Sequence, residues 1–130
     1  MIEKIERLAS FVEEEVAFIN GVDEKVYKIK TMKRAVEKAV ENVVQGVLDI
    51  AGIVLVNREK PVPERYKGRF FLLKQEKIIP SRMACELESL SMKRTLPYFC
   101  EWEEIEEMKS RIPVIRKFLH LVREKIKKEE

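Results

Sequence analysis

The sequence is poor in the residues that build metal centres and stapled scaffolds. It holds two cysteines, Cys85 and Cys100, and a single histidine, His120. The cysteines lie fifteen apart, form no CxxC pair, and have no clustered histidine beside them, so neither a zinc site nor a disulfide framework is expected. With one histidine, the paired Glu-x-x-His ligands of a di-iron bundle are excluded. Glycine (4) and proline (5) are too scarce for a loop-rich or low-complexity chain. No Gly-rich phosphate loop, HExxH or Gly-x-Ser-x-Gly is present, which removes the common nucleotide-binding, metalloprotease and serine-hydrolase signatures. The longest apolar run, Gly52 to Val56 with its flanks, falls short of a membrane span, and no signal-like segment follows Met1. A cytoplasmic protein with reduced thiols, no membrane association, no metal and no cofactor is expected.

What is present favours helix. Charged residues make up 38% and apolar residues 45% of the 130 positions, and aspartate occurs only at Asp23 and Asp49. Glu, Lys and Arg, all strong helix formers, dominate the charge. Heavy Lys/Glu use with only five Asn and Gln also fits a thermophilic source. The net charge of +3 is small beside 26 basic and 23 acidic side chains, so the chain is not a strong non-specific nucleic-acid binder. Its one basic concentration free of acids, Lys25 to Arg34, reads as a solvated helix face.

Hydrophobic periodicity divides residues 1–130, read as one domain, into helices. A first helix from about Ile2 to Ile19 carries Ile2, Ile5, Leu8, Val12, Val16 and Ile19. Asn20-Gly21 ends it, and Asp23 is placed to cap the next. A long second helix, Glu24 to Val56, bears Val36, Val40, Val43, Val47, Ile50 and Val54, widened by Ala39, Val44, Leu48, Ala51 and Leu55. So broad a face predicts a central helix covered from several sides. Its width exceeds what the rest of a short chain is expected to cover, which favours a homodimer. A loop from Asn57 to Pro63 and a short helix from Arg65 to Glu76 with Tyr66, Phe70, Phe71 and Leu73 follow. Pro80 suits the first turn of a helix carrying Met83, Leu87 and Leu90, and Pro97 stops that helix near Leu96. The closing helix, Glu103 to Lys127, repeats Ile105, Met108, Ile112, Ile115, Leu119, Val122 and Ile126, with a kink expected at Pro113. The expectation is an all-α, antiparallel up-down four-helix bundle with one extra short helix.

Few residues invite a chemical reading. The acid runs Glu13-Glu14-Glu15 and Glu103-Glu104 diverge by about 100° per step on a helix and read as solvated faces. His120 falls among Arg116, Lys117, Arg123 and Glu124 on the polar face of the last helix and is expected to be exposed. Tyr98, Phe99 and Trp102 form the one aromatic cluster and are expected to plug the core at the Pro97 corner.

The order of segments carries a further signal. Asp49-Ile50-Ala51 in the long helix, Val62-Pro63-Glu64-Arg65-Tyr66 in the loop, Ile79-Pro80, and a closing Ile112-Pro113-Val114-Ile115-Arg116-Lys117-Phe118 together resemble the HepT-like branch of the HEPN superfamily. The likeness runs from about Met32 to Val122. The family comprises small all-helical bundles paired, as toxins, with minimal nucleotidyltransferase antitoxins. The resemblance implies a homodimer in which two Arg-Asn-x-x-x-His-x-Tyr segments meet for metal-independent RNA cleavage. There Arg steadies the scissile phosphate, His moves the proton, and the Tyr is the residue the antitoxin adenylylates.

The matching stretch here is Lys93-Arg94-Thr95-Leu96-Pro97-Tyr98-Phe99-Cys100. Lys93 takes the Arg position, Arg94 the Asn, Tyr98 the His and Cys100 the Tyr. Sliding the register by one puts Arg94 on the Arg but Phe99 on the His. Neither register supplies a histidine, and a phenol with a pKa near 10 is a poor general base at neutral pH. Lysine also lacks arginine's bidentate fork. The resemblance therefore implies a HEPN-like protein without ribonuclease activity, a dimeric module binding RNA, a nucleotide or a nucleotidyltransferase through Lys93, Arg94 and Tyr98. Its rivals are a divergent active ribonuclease using Lys93, Arg94 and Tyr98, and a helical scaffold with no nucleic-acid role.

Overall fold

The computed structural model describes residues 2–63, 68–92 and 101–129. Among these, seven helices follow in chain order: α1 (Ile2–Asn20), α2 (Glu24–Tyr27), α3 (Lys30–Asn57), α4 (Arg69–Gln75), α5 (Ser81–Ser91), α6 (Trp102–Ser110) and α7 (Ile112–Glu129). No strand occurs among the described residues, as an all-α bundle requires. α1 buries Ile5, Ala9, Val12, Val16 and Ile19 along one face and lies antiparallel to α3. Near the middle of the pair Val12 faces Gly46, and one turn on Asn42 Nδ2 donates to Glu15 at 2.8 Å. Gly21 closes α1 by donating to Ala17 O at 3.1 Å, and Asp23 caps α2 by accepting from Val26 N at 2.8 Å.

The long helix expected from Glu24 to Val56 is two helices. α2 stops at Tyr27, and Ile29 is extended, with ψ 122°. The cause is angular. Tyr27 and Val36 are nine residues apart, so on one straight helix they would face opposite sides. Both are buried, at 3% and 0% exposure, and the turn at Lys28–Ile29 allows it. All eleven apolar residues assigned to the central face are buried in α3. Helices α1, α4, α5 and α7 of the same chain pack against it, so its breadth needs no second copy. That ground for a dimer fails. Burial also explains why α3 is apolar enough by length and composition to cross a membrane, with a window of mean hydropathy 1.7. Its apolar residues are spent on packing inside the bundle.

The closing helix also differs from expectation. It does not kink at Pro113 but breaks at Arg111, leaving α6 and α7. Proline cannot donate to Lys109 O, whereas within the first turn of a new helix its missing N–H costs nothing. Both halves keep the expected stripe in the core, from Ile105 to Ile126, and Phe118 joins it edge-on to Phe70, with centroids 5.9 Å apart. α4 begins at Arg69, four residues later than expected, after Gly68 at φ 100°, a left-handed position that favours glycine. Residues 64–67, which include Tyr66, lie outside the described residues. Pro80 is the N-cap of α5 rather than a first-turn residue. On α4, Phe70 and Leu73 are buried, whereas Phe71 is 52% exposed. Ion pairs tie the helices at the rim: Arg123 joins Glu6 and Glu13 on α1, and Arg58 joins Glu76 and Glu129.

Candidate functional site

Lys93, Arg94, Tyr98 and Cys100, with Phe99, belong to segment 93–100, which lies outside the described residues. The helices that carry its two ends are described. On the incoming side, α5 buries Leu87 and Leu90 and delivers an 80% exposed Met92. Ser91 Oγ donates to Glu88 O at 2.7 Å, and Arg111 Nη1 donates to Glu86 O at 3.2 Å. The latter pins the last turns of α5 to the α6–α7 junction. A shallow groove of about 380 Å³ between α4 and α5, bordered by Phe71, Lys74, Cys85, Glu88 and Met92, runs to this end. In its wall Glu88 Oε1 accepts from Gly68 N at 3.0 Å.

On the outgoing side, Trp102 opens α6 and stands half-buried against Tyr27, with ring centroids 5.5 Å apart. Lys109 Nζ lies 5.0 Å from the Trp102 ring centre and also donates to Val22 O, closing α6 onto the α1–α2 turn. Lys33 Nζ stands 5.8 Å from the Tyr27 ring centre. Trp102 therefore packs at one end of the core, as expected of it. No local signal in the sequence pairs it with Tyr27, so many residues away. The same contacts bring Tyr27, within the basic run Lys25–Arg34, against Trp102.

Other sequence candidates take structural positions. His120 is exposed and borders a groove of about 420 Å³ with Pro80, Met83, Arg116, Lys117 and Leu121, a lining without a carboxylate to orient the ring. The run Glu13-Glu14-Glu15 splits as its geometry requires: Glu13 pairs with Arg123, Glu15 with Asn42, and Glu14 faces outward. Asp49 accepts from Gln45 Nε2 at 2.8 Å and lines a groove of about 840 Å³ with Lys4, Arg7, Ile53 and Arg69. Gly52 lets Arg69 approach α3, where its Nη1 donates to Leu48 O at 2.9 Å. Among the described residues, no group of three or more His, Cys, Asp and Glu side chains could hold a metal ion. Arg123 has its pKa raised from its ordinary value, first by its hydrogen bond to Glu13, against the opposing effect of partial burial, and further by the charges of Glu13 and Glu6. It is a structural clamp.

No family model matches the chain, and no curated protein matches it in sequence. Solved structures do match in fold. YutE, a cytosolic protein of unknown function from Bacillus subtilis, superposes with a TM-score of 0.86 over 98% of this chain and 91% of its own, at 17% identity. A structure of the tri-AMPylated Shewanella oneidensis HEPN toxin in complex with an MNT antitoxin gives 0.78 at 14% identity, covering 91% of this chain and 95% of that one. A mutant MntA-HpeT toxin–antitoxin gives 0.81 at 14% identity with the same coverage. At these identities the likeness is one of architecture, and it is close along nearly the whole chain. The bundle shares its fold with these three structures.

Proposed function

We propose that this chain is a HEPN toxin-like module that keeps the toxin architecture without its nuclease chemistry. In this reading residues 1–130 form one cytoplasmic, soluble domain that acts as a homodimer. It binds RNA or a nucleotide, or a minimal nucleotidyltransferase, through Lys93, Arg94 and Tyr98. One observation carries the reading: the superposition on a HEPN toxin solved in complex with an MNT antitoxin, which spans 91% of this chain. The loss of nuclease chemistry rests on the segment itself, where no histidine stands in either register and Cys100 replaces the tyrosine. Lys93 and Arg94 remain able to grip a phosphate, lysine as a point charge and arginine as a fork. The exposed side chains of Phe71 and Met92 border the groove that ends at residue 92 and support a self-contact there, in place of the central helix.

Fluorescence anisotropy with a labelled single-stranded RNA tests the binding role. The wild type is expected to bind weakly and in a salt-sensitive manner, and the Lys93→Ala/Arg94→Ala protein to bind less at an unchanged melting temperature. Equal binding by both would remove the site assignment and leave the pair as a complement to the helix dipole.

A further inference from the structure

We propose that the groove between α1, α3 and the start of α4 binds a small anionic amphiphile, a carboxylate or phosphate carried on an unbranched apolar chain. The site shares no residue with segment 93–100 and stands apart from the RNA reading.

The groove is built from three elements. Its floor is one face of α3, where Asp49, Gly52, Ile53 and Val56 recur at steps of three and four residues and so line up along the helix. Gly52 leaves a notch in that floor, and a Cβ there would stand 3.1 Å from Arg69 Nη1. Arg69 leans into the notch from α4, held by the bond from its Nη1 to Leu48 O at 2.9 Å. The opposite wall is α1. Because α1 runs antiparallel to α3 with Val12 facing Gly46, Arg7 comes level with Ala51 and Lys4 with Val54. The space enclosed is about 840 Å³, within the range of ligand-binding clefts.

Its lining divides into a cationic part and an apolar part. Lys4 and Arg7 are exposed and hold no carboxylate partner among the described residues, and the acid beside Arg7, Glu6, is taken by Arg123. With Arg69 on the far wall, positive charge faces the groove from both sides. The Arg7 guanidinium can fork onto two oxygens of a carboxylate or phosphate, and Lys4 can add a point charge. Asp49, the one carboxylate of the lining, is held by Gln45 Nε2 at 2.8 Å and repels an anionic head from its end of the floor. The apolar part lies toward the other end: Ile53 and Val62 are half-buried and Val56 is 58% exposed, so a chain laid over them removes apolar surface from water.

That division selects the ligand class. A nucleoside would bring a ribose and base edges that need hydrogen-bond partners, and the apolar floor supplies none. A neutral chain would leave the cations unused. A protein surface needs a broad apolar centre, whereas Val56 alone is strongly exposed here, with Leu8 and Ile53 set back behind it, a shape suited to a slender chain.

Isothermal titration calorimetry on the whole protein tests the proposal, with decanoate, decyl phosphate, octanoate and decanol as probes below their micelle-forming concentrations. Decanoate and decyl phosphate are expected to bind one to one, decanol at least about tenfold more weakly. Each methylene removed should cost about two- to fourfold in affinity, read from decanoate against octanoate. Lys4→Gln/Arg7→Gln alters two exposed positions and should keep its melting temperature, lose about tenfold for decanoate and bind decanol as before. Asp49→Asn should bind decanoate more tightly, since the repelling charge is gone. No binding of either anion, equal affinity for decanol and decanoate, or unchanged decanoate affinity in Lys4→Gln/Arg7→Gln would each overturn the proposal. Cosedimentation with phosphatidylglycerol vesicles in the absence of decanoate binding would assign these cations to a membrane surface and equally overturn it.

Discussion

Gly46→Ala tests the packing of α1 on α3, the contact that organises the bundle. A Cβ at this position would stand 2.5 Å from Val12 Cγ2, so one helix must retreat by about 1 Å to restore ordinary contact. Val12 is fully buried and, being β-branched, has no alternative rotamer of similar energy in a helix. The overpacking cost falls at the upper end of its usual range, about 3 kcal/mol. Replacing a helical glycine by alanine returns about 1 kcal/mol of propensity. The net expectation is a loss of about 2 kcal/mol, or roughly 5–10 °C in Tm for a domain of this size. Val12→Ala alone should cost about 2 kcal/mol through its cavity. In the double variant the methyl added at position 46 fills the space left by the valine methyls. Gly46→Ala/Val12→Ala should therefore be no less stable than Val12→Ala, a coupling of about 2 kcal/mol. Urea denaturation of the four proteins yields the cycle. A neutral or stabilising Gly46→Ala, or strict additivity, would refute the close approach of the two helices.

Other expectations follow from single contacts. Phe118→Ala removes a fully buried ring from its edge contact with Phe70 and should cost about 3–5 kcal/mol, read as a lower urea midpoint or an unfolded protein. Arg123→Met breaks the partly solvated clamp to Glu6 and Glu13 and should cost about 1 kcal/mol. Because the raised pKa of Arg123 lies above its unfolded value, its contribution is fully present below the unfolded pKa and is lost only as pH rises through the folded one, so its own ionisation should leave Tm flat from about pH 6 to 9. If the self-contact lies along α4 and α5, Met92→Glu should shift sedimentation equilibrium from dimer to monomer; a wild-type monomer at high concentration would remove the dimer altogether. Trp102 is the sole tryptophan and borders segment 93–100, so RNA binding should change its emission.

The periodic stripes made the buried faces readable in advance because burial in a helix repeats every three to four residues, and a strong stripe admits one orientation. Val36 to Val54 in α3 and Ile105 to Ile126 in α6–α7 lie where that rule puts them. The breaks were harder to read. Ile29 bears no turn signature, and the break between α2 and α3 lets Tyr27 and Val36 both be buried, a tertiary demand invisible in local sequence. Pro113 signalled an irregularity but not whether the helix would bend or restart. The candidate site was placed by motif spacing alone, at Lys93 to Cys100, and that segment lies outside the described residues. What could not be read was that Tyr27, inside the exposed Lys25–Arg34 run, packs against Trp102. The width of the central helix suggested a second copy, yet helices of the same chain, α1 foremost, pack against it.

The central claim, a HEPN architecture without nuclease chemistry, is tested most directly by incubating the purified protein with structured and single-stranded RNA in the absence of metal and following the products on a denaturing gel. General acid–base catalysis typically supplies about 10²–10⁴-fold, and the segment holds no histidine to provide it. The account predicts intact RNA for the wild type and for Arg94→Ala alike. Cleavage by the wild type that disappears in Arg94→Ala would contradict it and establish a divergent ribonuclease.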